Sequence, residues 1–110
     1  MKIAVACNQP CPTSPVALRF GRAPWFLVYD TVFNRFTTIP HQEGESVGAD
    51  AGIAAAQLLR RTQVGVVVAG EFGESATRIL HNAHICLAAA TRMTAAQALA
   101  DFKHGRLIDL

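Results

Sequence analysis

Cys7 and Cys11 flank the first loop of the chain, a spacing of Cys-x-x-x-Cys. That is not a standard zinc half-site, and no second pair completes four ligands, so a closed structural zinc centre is not expected. Two soft thiolates on a loop could instead hold part of an iron–sulfur or molybdenum-containing cluster, with further ligands from elsewhere. The plainer alternative is that Cys7 closes a core strand and Cys11 is incidental; the sequence leaves both open. Cys86 lies in a short apolar run and is expected in the core. His41 falls in a polar loop and is a candidate metal ligand. His81, His84 and His104 sit near predicted helix C-termini, which favour a cation and explain them without a ligand.

Glycines suggest a second kind of chemistry. Gly48-Ala49-Asp50-Ala51-Gly52 leads into a predicted helix, and Gly70-Glu71-Phe72-Gly73 follows a predicted strand. Together with the loop Asn8–Arg19 they would form a shallow site of free backbone N–H groups and positive helix ends, suited to an anion. Glycines that serve only tight turns are the alternative. Catalytic signatures do not occur: there is no Gly-x-Ser-x-Gly, no Walker loop and no Gly-x-Gly-x-x-Gly. Asp30 and Glu71 read as isolated acids with no obvious partner. The residues thus give little support to catalysis; an enzyme acting on a phosphate-bearing ligand would rest on the glycine turns alone.

The elements that must position these groups follow from hydrophobic periodicity. Ile3 to Cys7 is an apolar run ending in a stretch with Pro10, Pro12 and Pro15, which reads as a buried strand opening into a loop. Trp25 to Asp30 is aromatic and β-branched, a second strand. Asn34-Arg35 separates it from Phe36–Ile39, predicting a hairpin, and 40–48 reads as loop. Asp50 can cap a helix running to Arg61. Val64 to Ala69 reads as a central strand covered on both faces. Ala76, Ile79, Leu80 and Ala83 share one face of a second helix. Ile85 to Ala88 is a short strand. Thr94 and Gln97 form a capping box for a third helix, which Gly105 stops. Two helix-linked crossovers require parallel strands, and the hairpin adds an antiparallel edge. The predicted fold is α/β: three layers, α/β/α, around a mixed five-stranded sheet, in a single domain over 1–110. Ligands of such sheets bind beyond the carboxyl ends of the parallel strands.

Composition narrows the function classes. The 110 residues are 51% hydrophobic and 16% charged, with a formal net charge of +2. That charge is too small to argue for nucleic acid or an acidic membrane. No apolar run reaches the roughly 18–20 residues that span a bilayer. Met1-Lys2-Ile3-Ala4-Val5 is too short for a signal peptide, so a cytoplasmic protein with reduced thiols is expected.

One segment is distinctive: Arg19-Phe20-Gly21-Arg22-Ala23-Pro24, just before the second strand. A Phe-Gly-Arg-Ala-Pro run there resembles the signature of the dinitrogenase iron–molybdenum cofactor biosynthesis family. Ser14-Pro15-Val16, Gly48 to Gly52, Val66 to Gly70 with Gly73, Ala83-His84-Ile85, and Ala98-Leu99 to Leu107 are similar to the family in order, covering nearly the whole chain. The resemblance implies a ribonuclease H-like fold without nuclease activity. Nucleases of that architecture need a carboxylate on the first strand, and Ile3-Ala4-Val5-Ala6-Cys7 has none. It implies a non-catalytic binder of the iron–molybdenum cofactor or an iron–sulfur precursor cluster in nitrogen fixation. Its partners would be nitrogenase or cofactor assembly proteins, or it would act as a metal-independent interaction module on them. Arg19, Phe20, Gly21, Arg22, Gly48, Gly70 and Gly73 would then face the ligand, with Arg22 the motif arginine. Two positions depart from the pattern: Arg19 stands where many relatives have histidine, and His84 where they often have glycine.

Overall fold

The computed structural model describes residues 1–41 and 50–110; of Asp50 only the backbone is described. Gly48 and the capping role expected of Asp50 lie outside the described residues. In chain order the elements are β1 (Lys2–Cys7), a 3-10 turn (Phe20–Arg22), β2 (Trp25–Asp30), β3 (Arg35–Pro40), α1 (Asp50–Thr62), β4 (Val66–Ala69), α2 (Glu74–Asn82), β5 (Cys86–Ala89), α3 (Ala95–Lys103) and β6 (Ile108–Asp109). The sheet runs β3-β2-β1-β4-β5-β6. β1, β4 and β5 are parallel neighbours, while β2, β3 and β6 add antiparallel pairings.

The expected sheet gains one strand: among the described residues six form, not five. β6 pairs with β5 through Ala88 and Ala89. Two residues carry no periodicity to read, and the strand exists only because the end of α3 turns the chain back onto the sheet edge. The hairpin also differs. Asp30 pairs with Arg35, so the turn is 31–34 and Arg35 already belongs to β3. Asn34 adopts a left-handed φ of 51°. The Asp30 carboxylate accepts the N–H groups of Val32 and Phe33 at 2.9 and 3.3 Å. Desolvation works to raise its pKa, but these bonds, the N-terminal ammonium and Lys2 outweigh it and hold the carboxyl below its ordinary value. This supplies the partners that Asp30 lacks in the sequence reading.

Alternation along the strands builds two cores. Ala4, Ala6, Phe26, Val28, Val67 and Leu87 pack with Ala55, Ala56 and Leu59 of α1 and Ala76 and Leu80 of α2. Ile3, Val5, Cys7, Leu27, Val66, Val68 and Ala88 pack with Ala95, Ala98 and Leu99 of α3. The layers are thus α1 and α2, the sheet, and α3. Full burial of a side chain such as Leu59 or Leu80 stabilises by roughly 1.5–3 kcal/mol. β4 is buried at every position, as its uninterrupted Val-Val-Val-Ala predicts. Cys86, the first residue of β5, is exposed, contrary to expectation. Among the described residues no helix is long and apolar enough to cross a membrane.

Candidate functional site

The loops after β1 and β4 meet at the carboxyl edge of the sheet, and Gly70 permits the meeting. A Cβ on Gly70 would lie 2.4 Å from the carbonyl oxygen of Leu18, so only glycine allows the two backbones so close. Gly70 N–H donates to Ala17, Glu71 N–H to Leu18, and Phe20 N–H to Glu71, at 2.9, 2.7 and 3.0 Å. Gly70 is therefore a packing residue rather than part of the site's lining. Phe20 is 1% exposed and stacks between Phe26 and Phe72, at centroid distances of 5.5 and 5.2 Å. A Cβ on Gly21 would come within 2.8 Å of the Gly52 Cα, so the 3-10 turn sits directly on α1. The buried phenyl and the missing side chain fix the turn, and with it Arg19 and Arg22 on either side.

These two arginines line a hollow of about 500 Å³, together with Phe20, Gly21, Gly52, Phe72, Gly73 and the first turn of α2. Gly73 is the N-cap of α2 and offers no side-chain acceptor. No acceptor among the described residues meets the N–H groups of Glu74, Ser75 and Ala76. The helix N-terminus thus presents open donors and partial positive charge to the hollow. Arg19 Nε lies 3.3 Å from Glu71 Oε1, and both side chains are mostly exposed. Arg22 makes no ion pair among the described residues. Chemically, the hollow can hold an anion by guanidinium and backbone N–H contacts.

The candidate metal ligands do not join it. Cys7 is fully buried in the core beneath α3. Burial pushes its thiol pKa up, and its backbone hydrogen bonds only partly offset this. Its S–H donates to the carbonyl of Gln9 at 3.2 Å. Cys11 is half-buried beside Thr13, at 3.4 Å from the hydroxyl. His41 is buried; its Nδ1 bonds the Ala23 carbonyl at 3.0 Å and its ring packs on Phe26. None of the three lines the hollow. Among the described residues no group of three or more His, Cys, Asp or Glu could hold a metal ion. A single groove bearing both thiols and arginines is therefore not what forms: alternation on β1 turns Cys7 to the opposite face of the sheet.

Sequence reasoning missed two residues. Glu71 is not isolated; its partner Arg19 is remote in sequence and only the Gly70 contact unites them. Ser14 is fully buried, and its hydroxyl accepts the N–H groups of Asn8 and Gln9 at 3.0 and 2.9 Å, pinning the loop. A polar residue between Pro12 and Pro15 was the available signal.

The sequence matches the dinitrogenase iron-molybdenum cofactor family over residues 1–105. The chain belongs to this family. Its structure is similar to the apo form of the orange protein from Desulfovibrio gigas, with 30% identity and a TM-score of 0.93 over 99% of this chain and 92% of that one. It is also similar to a candidate NifB protein from Thermotoga, at 26% identity and a TM-score of 0.87 over 99% and 92% of the two chains. A dinitrogenase-type protein from Methanocaldococcus jannaschii shares the fold, at 16% identity and a TM-score of 0.69 over 100% and 94%. No curated protein matches the chain. The Phe-Gly-Arg-Ala-Pro run of this chain has a physical reading. Phe20 anchors, Gly21 permits contact with α1, Arg22 faces the hollow and Ala23 is buried. Pro24 accepts the His41 N–H at 2.8 Å where β2 begins.

The backbone at position 84 has a physical reason. Ile85 N–H bonds Leu80 O and His84 N–H bonds His81 O, both at 2.9 Å, the pattern of a Schellman turn ending α2. His84 occupies its left-handed position at φ 61°, where glycine is unstrained.

Proposed function

We propose that this protein binds and carries the iron–molybdenum cofactor, or an iron–sulfur precursor of it, during nitrogenase cofactor assembly. The observation that supports this reading is the uncapped N-terminus of α2, opening on a hollow flanked by Arg19 and Arg22. Such a cluster is anionic and brings its own bridging atoms. The hollow would hold it through ion pairs and N–H contacts rather than through cysteine or histidine ligation. The role is that of a binder, not a catalyst, in the cytoplasm, with nitrogenase or cofactor assembly proteins as donors and acceptors of the cluster. The fold is read as ribonuclease H-like, which the order β3-β2-β1-β4-β5 and the antiparallel β1–β2 pairing support.

The test is anaerobic incubation with an iron–sulfur or molybdenum-containing cluster, followed by gel filtration. A coloured, stoichiometric complex is expected, weakened in Arg22→Glu and unaffected in Cys7→Ser or Cys11→Ser. A wild-type protein that emerges colourless and metal-free overturns the carrier reading.

A further inference from the structure

The hollow holds opposing charges. Arg19 and Arg22 favour an anion, yet Glu71 and Glu74 line the same space. The two carboxylates are placed differently. Glu74 turns along α2 to Arg78, with Oε1 and Nη2 3.3 Å apart in an exposed i,i+4 pair. Glu71 turns instead to Arg19, one of the two cations of the hollow. The backbone sets this partnership. Glu71 N–H bonds Leu18 O and Phe20 N–H bonds Glu71 O, so Arg19 and Glu71 are the paired residues of a parallel bridge. Paired residues of such a bridge send their side chains to the same side, and the ion pair needs no further ordering of the chain.

We infer that Glu71 is a resident counter-ion which competes with the ligand for Arg19, so that ligand binding and the Arg19–Glu71 pair exclude one another. The inference rests on the anion-binding reading above and names what limits affinity at that site. An exposed ion pair is weak enough to be exchanged. A compact dianion with several acceptor atoms offers the guanidinium more than one carboxylate does, and it engages Arg22 and the α2 N–H groups at the same time.

The probe is tetrathiomolybdate, a soft molybdenum–sulfur dianion, titrated into the full chain by calorimetry. Glu71→Gln is expected to bind it roughly three- to tenfold more tightly than wild type, the range set by losing one exposed pair and one nearby negative charge. Glu74→Gln should gain less than half of that. In an Arg19→Gln background the further change Glu71→Gln should gain less than about twofold, since the competition has no object. The Arg19 Nε–H resonance should shift on saturation of the wild type. It decides the matter if Arg19→Gln abolishes binding altogether: a shift upholds the competition and an unmoved resonance overturns it. Equal gains from Glu71→Gln and Glu74→Gln, or an undiminished gain without Arg19, would reduce Glu71 to a diffuse charge and overturn the inference. Wild-type binding with no gain in Glu71→Gln removes the counter-ion role and leaves the carrier reading standing. Binding by Glu71→Gln but not by wild type supports the competition. No binding by either removes both.

Discussion

Helices α2 and α3 both begin at the carboxyl edge of the parallel strands, and the protein treats their first turns in opposite ways. At α3 the loop after β1 closes the end: Ala95 and Ala96 donate to the carbonyls of Ser14 and Pro12 at 2.8 and 2.9 Å. Thr94 accepts from Gln97 N–H at 3.1 Å. At α2 the cap is Gly73, the first N–H groups meet no acceptor among the described residues, and two arginines stand nearby. A helix end costs stability when its donors are buried without partners. The chain itself closes one end, and the other, whose first residues are exposed or half-buried, is left open, as the proposed binding role requires. Cys7 lies on the closed side, under α3, and the arginines on the open side.

The contrast can be broken at several points, and the largest effect is expected where the open end is built. Gly70→Ala would set a Cβ 2.4 Å from a backbone oxygen that cannot move aside cheaply. A loss of about 3 kcal/mol in chemical denaturation is expected, in line with overpacking. Next, Arg22→Glu reverses a charge at the open end without touching the core. Cluster or tetrathiomolybdate affinity should fall about 30-fold, close to 2 kcal/mol, while the melting temperature stays near wild type. The closed end should give the converse. Thr94→Ala is expected to cost about 1 kcal/mol of stability and to leave anion affinity unchanged; a drop in affinity would mean that the two ends are not separate. His84→Gly should stabilise by roughly 0.5–1 kcal/mol by relieving the left-handed strain, with binding unaltered.

The smallest effect concerns the thiols. Alkylation under native conditions should proceed in the order Cys86, then Cys11, then Cys7, following their exposure. Mass spectrometry at timed intervals reads this directly. Because burial raises the folded pKa of Cys7 above its unfolded value, its contribution to stability is complete below the unfolded pKa. It fades as pH climbs through the folded one. Cys7→Ala should therefore flatten the alkaline side of the stability profile and leave the neutral side's slope alone.

The motif around Arg22 was legible only through its resemblance to the family; the structure then gives its residues their roles, with Phe20 as an aromatic anchor and Gly21 in close contact with α1. The thiol half of the expected site lies apart from the hollow for a geometric reason. Cys7 and Arg19 flank the same loop in sequence, but side chains alternate along a strand, and Cys7 falls on the face away from the hollow. Glu71 was unreadable because its partner is supplied by a loop far along the chain. Strand β6 was unreadable because two residues define no period.

What the sequence by itself determined is the set of elements: apolar runs long enough for strands, an Ala-rich helix, caps at Thr94 and Gly105, and the crossover order that makes the central strands parallel. These follow from local periodicity and capping, which neighbouring residues decide among themselves. What only the tertiary structure decided is which helix end stays open, which arginine is already engaged and which face each thiol occupies. Those depend on backbones meeting across the sheet edge, at Gly70 against Leu18 and Gly21 against Gly52. Such contacts are made between residues distant in sequence, and no local pattern encodes them.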